Sequence, residues 1–355
     1  MFVCYVFLFF LINTVSAFSD NNTVVFRRGE GGYACIRIPA LLTTIRGNLL
    51  AFGEARLFNC GDETRKDLVY KRSTDNGQTW SELKILVRAN VSSENSVDYV
   101  GNLPPVQLKY NQRILMVFCK NNHMIMQSYS DDDGLTFSKP ELITNVTKPE
   151  WKWVGTGPPG GLLLQSNRIL IPGHYSTNAS SIGGSSVGFV MLNDHNGQVD
   201  KWYLGGEYNL DDYAPSEAQA VELLPNINSV FINARSYSTK RIGAYSSDGG
   251  LTFSKVKILN TLVQPPGGCE GSSLYHQSTR RLFYSGLSVN VTQRTHLSLY
   301  VSKDEGENWS FIETIWSGPS AYSSLTTLTD QSIGILFEAG TKESYESVLF
   351  TRINR

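Results

Sequence analysis

The chain has 355 residues and a formal net charge of −1, with 41% hydrophobic, 11% aromatic and 18% charged residues. That balance excludes a general nucleic-acid or polyanion binder, which needs a basic excess. It also excludes a disordered chain, because the apolar and aromatic content is ample for a packed core.

The first element is an apolar run, Phe2 to Ile12, too short to span a bilayer comfortably. It leads into Val15-Ser16-Ala17, where Val15 and Ala17 suit signal peptidase, although no Lys or Arg precedes the run. Residues 1–17 are expected to be a signal peptide, with an uncleaved anchor as the alternative. No second long apolar stretch follows, so the mature chain is expected in the secretory route without a membrane span. Cys4 leaves with the signal, and Cys35, Cys60, Cys119 and Cys269 permit three pairings. None has a C-x-x-C spacing, which argues against zinc. Asn21, Asn90, Asn145, Asn178, Asn290 and Asn308 head N-x-S/T sequons, which permit glycosylation without diagnosing it.

Four later segments fit S-x-D-x-G-x-(T/N)-(W/F), beginning at Ser73, Ser130, Ser246 and Ser302, with starts 57, 116 and 56 residues apart. The middle gap is about twice the others and predicts a worn copy, found in Asn193-Asp194-His195-Asn196-Gly197 with Trp202 behind it. Ser and Asp close the turn on nearby amides, Gly supplies positive φ, and the aromatic plugs into the core. The runs Asp67 to Arg72 and His296 to Val301, just ahead of boxes, are strand-like, and sustained helical periodicity is absent. A turn recurring at this period suits four-stranded antiparallel blades. The expected fold is therefore an all-β, six-bladed β-propeller occupying residues 18–355 as one domain. The boxes themselves are expected to be structural.

The segments Tyr33-Ala34-Cys35-Ile36-Arg37-Ile38-Pro39-Ala40, Asn233-Ala234-Arg235-Ser236 and Ala321-Tyr322-Ser323-Ser324-Leu325 join the boxes in a pattern covering nearly the whole mature chain. It resembles the exo-α-sialidases (neuraminidases) of the bacterial and animal type. Gly318-Pro319-Ser320 is similar to the lysosomal animal branch.

The resemblance implies a carboxylate-bearing sugar held by three arginines, here Arg37, Arg235 and Arg294, because guanidinium groups stay charged and offer planar paired donors. It further implies Glu338 as the brace of Arg37, and Arg56 at the substrate rim. The nucleophile is a tyrosine, matched by Tyr322, since a neutral phenol is not repelled by the substrate carboxylate. A phenol near pKa 10 needs a base, matched by Glu217; Glu222 is the rival, although in a strand it would face the other way. Asp62 matches the acid that protonates the leaving oxygen, with Asp67 as the alternative. Leu103 and Glu270 depart from the usual Pro and Gln and affect pocket detail rather than reaction class. His174-Tyr175 is a candidate pocket lining, and Trp151 and Trp153 are assigned to the core in preference to the N-acetyl site. Cys35 and Cys60, flanking these residues at neighbouring strand ends, are expected to be disulfide-bonded.

The activity so implied is retaining hydrolysis of terminal α-linked sialic acids from glycoproteins, oligosaccharides and gangliosides, with sialylated glycans as partners and a lysosomal or extracellular destination. A trans-sialidase, an enzyme releasing an anhydro sugar, and a non-catalytic sialoglycan-binding propeller are the alternatives. No cofactor motif is present, and the five histidines lack ligand spacing, so no cofactor or metal is expected.

Overall fold

The computed structural model describes residues 22–354, apart from 63, 90, 94–95, 179–184 and 211. The expected signal peptide, with Asn21 and Asn90, lies outside the described residues. Asn145, Asn178, Asn290 and Asn308 are exposed. The described chain is all-β, with only the short 3-10 turns Glu30–Gly32 and Val199–Lys201 interrupting it.

The strands form antiparallel sheets laid down in chain order. The first contains Cys35–Thr43, Leu49–Arg56, Lys66–Ser73 and Lys84–Val87. In the second, Val100–Gly101 and Pro105–Gln107 both pair with Ile114–Lys120, which is followed by Met124–Ser130 and Glu141–Ile143. In the third, Trp153–Thr156 and Leu162–Leu163 pair with Ile169–Ser176, followed by Val187–Asn193 and Tyr203–Tyr208. The fourth runs Ala218–Glu222, Val230–Ala234, Lys240–Ser246 and Lys255–Val263. The fifth is a continuous seven-stranded sheet, with six strands from Ser272–His276 to Ser347–Ile353 and Thr23–Arg27 as the seventh at its far edge.

The boxes fold as their chemistry dictates. In the first, Ser73 Oγ donates to Asp75 Oδ1 at 2.7 Å and accepts the Gly77 N–H at 2.9 Å, while Asp75 accepts the Thr79 N–H at 2.9 Å. Gly77 has φ +85°, and a Cβ there would strike the Phe350 ring. The pattern repeats at Ser130, Ser246 and Ser302. At the worn copy Asn193 Oδ1 replaces the serine hydroxyl, accepting the N–H groups of His195 and Gly197 at 2.8 and 3.0 Å. Asn193 thus takes over the serine's two acceptor bonds, and its Nδ2 donates to the Gln198 carbonyl at 2.9 Å.

Each box glycine rests on the sheet before it: Gly134 on Leu50, Gly197 on Leu115, Gly250 on Leu170 and Gly306 on Phe231. Gly77 of the first sheet rests on Phe350 of the last, so the order of contact closes on itself. Apolar clusters fill the spaces between successive sheets, and one joins Phe26, Val348 and Phe350 to Leu49 and Ala51 across the closure. The arrangement is propeller-like.

Candidate active site

The site begins with a distortion in the first sheet. Between Arg37 and Ala40 the pairing with Leu49–Arg56 shifts register, and Ile38 has φ +55°, a left-handed conformation costly for a β-branched residue. Its N–H is tied to Glu338 Oε1 at 2.9 Å, and the same oxygen accepts from Arg37 Nε at 3.1 Å. Glu338 Oε2 accepts the backbone N–H of Tyr322 at 3.1 Å. One fully buried carboxylate therefore fixes the arginine, its bulge and the strand carrying the tyrosine.

Arg56 ends the second strand and pairs with Asp62 at 2.8 Å, while Arg37 lies 3.6 Å from the same Asp62 oxygen. Both guanidiniums donate to the Cys60 carbonyl, at 2.6 and 3.4 Å. A Cys35–Cys60 disulfide anchors this loop to the start of the Arg37 strand. The Asp62 side chain is 81% exposed at the mouth of the cluster. The protein packed around its inner side works upward, but Arg56 and Arg37 outweigh it and hold Asp62 below the usual aspartate range.

Glu217 immediately precedes Ala218–Glu222, and Arg235 immediately follows the adjacent strand. Arg235 Nη1 donates to Glu217 Oε2 at 2.7 Å and to the Tyr322 hydroxyl at 3.1 Å. The Tyr322 hydroxyl donates to Glu217 Oε1. Burial, with Glu217 adding to it, pushes the Tyr322 phenol well above its ordinary value, against the pull of Arg235 and Arg294. The Arg37 and Arg294 guanidiniums lie 5.6 and 5.8 Å from the Tyr322 ring centre. All eight residues singled out from the sequence thus form one contiguous cluster, drawn from the first, fourth and fifth sheets.

The rivals sit elsewhere. Asp67 is buried, accepting the Tyr33 hydroxyl at 2.7 Å and the Ala89 N–H at 2.9 Å. Glu222 accepts the N–H groups of Gln165 and Asn228 at 2.8 and 3.0 Å. Trp151 stacks on Tyr175 at 4.0 Å within the core. His174 lies against Trp153 and 3.3 Å from Ser216 Oγ, and burial pulls it down to about 4, so its ring is neutral.

Two members of the cluster were not foreseen. Tyr345 lies with its ring 3.7 Å from the Arg37 guanidinium, and its hydroxyl accepts from Arg294 at 3.3 Å, so it bridges two arginines. Glu54 bonds Arg56 at 3.1 Å, Lys66 at 3.4 Å and the Asn102 N–H at 2.9 Å. Glu54 was findable, since it stands two residues before Arg56 and so shares its face of the strand. Tyr345 lies in a loop outside every motif and carried no signal.

The family described as a BNR repeat-like domain matches residues 47–335. The chain is 25% identical over 370 residues to Sialidase-2 of Cricetulus griseus, covering 92% of this chain and 94% of that protein. It is 24% identical to a sialidase of Micromonospora viridifaciens, covering 89% of this chain and 52% of that one. Among solved structures, the Hadza microbial sialidase Hz136 superposes with a TM-score of 0.80 at 22% identity, over 94% of this chain and 68% of that one.

Proposed function

The chain belongs to the sialidase family built on BNR repeats, and from that premise we propose that it is a retaining exo-α-sialidase acting on terminal sialic acids of glycans. The observation that carries the chemistry is the hydrogen bond from the Tyr322 hydroxyl to Glu217, with Arg235 donating to both groups. A buried phenol held against a carboxylate is a nucleophile with its base in place. Arg37, Arg235 and Arg294 grip the substrate carboxylate, and Glu338 and Tyr345 hold the arginines.

Substrate binding also prepares the acid. In the free site Asp62 leans on Arg56 and Arg37, which keep it ionised. The incoming carboxylate competes for Arg37 and adds negative charge, both of which raise the affinity of Asp62 for a proton. As Tyr322 bonds to the anomeric carbon and yields its proton to Glu217, Asp62 protonates the departing glycosidic oxygen. Water, deprotonated by Asp62, then displaces the phenol, which recovers its proton from Glu217. Two inversions give retention.

We also infer six blades. Ser310–Pro319 pairs with Thr295–Ser302, whereas Ser320–Thr327 pairs with Ile333–Ala339, which supports reading the seven-stranded sheet as two blades sharing one long strand. A separate apolar cluster between Phe283, Leu297 and Leu299 and Ile333, Ile335 and Phe337 supports the same division. Residues 18–355 would then form one catalytic domain behind a signal peptide at 1–17.

A 3-fluoro sialosyl fluoride tests the reaction, because fluorine disfavours the positive charge that develops as the covalent intermediate breaks down. Peptide mapping after brief exposure should place the added mass on the peptide carrying Tyr322. Label elsewhere, or an inverted first product by NMR, would contradict the assignment. Arg37→Lys should lower kcat/KM by about 30- to 1000-fold, since a point charge cannot reproduce the two-donor grip or the bond to Glu338. Steady-state kinetics on the folded variant check it, and near-wild-type efficiency would remove Arg37 from the grip.

A further inference from the structure

Behind Tyr322 the protein buries a carboxyl group that the mechanism does not use. Glu270 follows Cys269 just ahead of Ser272–His276 and is 1% exposed. Its Oε2 accepts the N–H of Ser323 at 2.9 Å, while Oε1 has no hydrogen-bond partner. The peptide groups of Tyr322 and Ser323 are thus held by two different carboxyls, Glu338 and Glu270.

The two carboxyls are not equivalent. Glu338 is paired with Arg37, whereas the guanidinium facing Glu270, that of Arg241, gives its donors to Asn233, Gln264 and the Cys269 carbonyl. The other ionisable groups facing Glu270 are Glu217 and Glu338, which oppose its charge, and the Cys269 thiol and Tyr284 phenol, both pushed up by burial. A carboxylate with one N–H donor and a bare buried oxygen is costly, and the neutral acid much less so.

We propose that Glu270 is a positioning residue that works as a neutral carboxylic acid beneath the Tyr322 strand, and that its ionisation as pH rises weakens binding of the anionic substrate. The inference rests on the sialidase reading given above. Burial is the main influence and drives the Glu270 carboxyl well above the usual range, with Glu217 and Glu338 acting in the same sense against Ser323 and Arg241. A new negative charge there would oppose the substrate carboxylate and oppose the tie to Arg235 through Glu217.

Glu270→Gln tests it, because the amide has the acid's shape, accepts from Ser323 and cannot ionise. Near about pH 4.5 the two proteins should have kcat/KM values within about twofold. Above the pKa of Glu270 the wild type should fall relative to the variant by up to about tenfold per pH unit, levelling off at the weaker binding of the ionised form, chiefly through KM. Stability gives an independent reading. The native state holds the Glu270 proton more tightly than the unfolded chain, so wild-type stability should fall as pH rises above the ordinary glutamate range. The thermal midpoint of Glu270→Gln should exceed that of the wild type at neutral pH and converge with it in acid. Superimposable profiles, a loss equal at every pH, or failure of the variant to fold would each overturn the proposal, since the amide reproduces what the neutral acid does. A wild type that cleaves no sialoside would sink the sialidase reading alone, and the two midpoints would still decide the state of Glu270.

Discussion

Asp62→Ala is expected to lose about 100- to 10,000-fold in kcat/KM on a natural sialoside while losing far less on a reactive aryl sialoside. A sugar alcohol leaves as a strongly basic alkoxide unless it is protonated, whereas a phenol with an electron-withdrawing group departs with little help. Asp62 is placed for the task because its carboxyl is exposed at the mouth of the cluster, where an aglycone must lie, yet remains in contact with Arg56. Its removal also frees both guanidiniums, so binding of the substrate carboxylate should not suffer. The loss belongs in kcat for the natural substrate rather than in KM. Asp67→Ala is the companion variant. It strips acceptors from the Tyr33 hydroxyl and the Ala89 N–H, so any loss should be similar on both substrates and accompanied by a lower thermal midpoint. Kinetics on both sialosides, with circular dichroism to establish folding, separate the cases. A leaving-group-selective loss in Asp67→Ala, with equal losses in Asp62→Ala, would move the acid to Asp67.

Glu217→Gln should be as damaging, by about 100- to 10,000-fold, and on both kinds of substrate, because it disables attack rather than departure. The phenol cannot compensate by ionising unaided. Burial, the largest influence holding the phenol up, remains in the variant and opposes phenolate formation as the solution pH is raised, although the opposing charge of Glu217 is gone. The variant should therefore show no recovery of kcat/KM as pH is raised to about 9, even though an ordinary phenol there would be about one-tenth ionised. Glutamine retains an oxygen to accept from Tyr322 or Arg235 but cannot receive the proton. Activity that climbs steeply with pH in this variant would show that Tyr322 ionises without Glu217, and would reassign the carboxylate to holding Arg235. Burst kinetics with a fluorogenic sialoside would show whether formation of the intermediate, its breakdown or both have slowed.

What the sequence disclosed depended on how locally each feature is encoded. A box closes on itself through Ser73, Asp75, Gly77 and Thr79, so spacing alone reveals it. The worn copy at Asn193 was findable by its phase, although the replacement of the serine hydroxyl by an amide oxygen was not. The eight proposed site residues could be singled out because each sits in a short recognisable stretch. Three features were not. The continuous strand Ser310–Thr327 contains Gly318-Pro319, which reads as a break; the backbone instead changes pairing partner there, since Pro319 ends the pairing with one neighbour and Ser320 begins it with the next. Tyr345 acquires its place from a loop whose shape is set by Glu346 accepting the N–H groups of Thr341, Lys342 and Glu343. The lone position of Glu270 depends on Arg241 being engaged by Asn233, Gln264 and Cys269 from other segments, which no local pattern encodes.

The brace between Arg37 and Glu338 joins residues 301 positions apart, across the place where the first sheet meets the last. During synthesis the arginine emerges 301 residues before its partner, so the proposed grip on an anionic sugar lacks its brace until the two sheets meet. Thr23–Arg27, paired with Ser347–Ile353, helps hold that closure. If Arg37 serves as proposed, sugar-cleaving power is tied to closure of the ring, and a molecule whose first and last sheets have come apart would lack the brace.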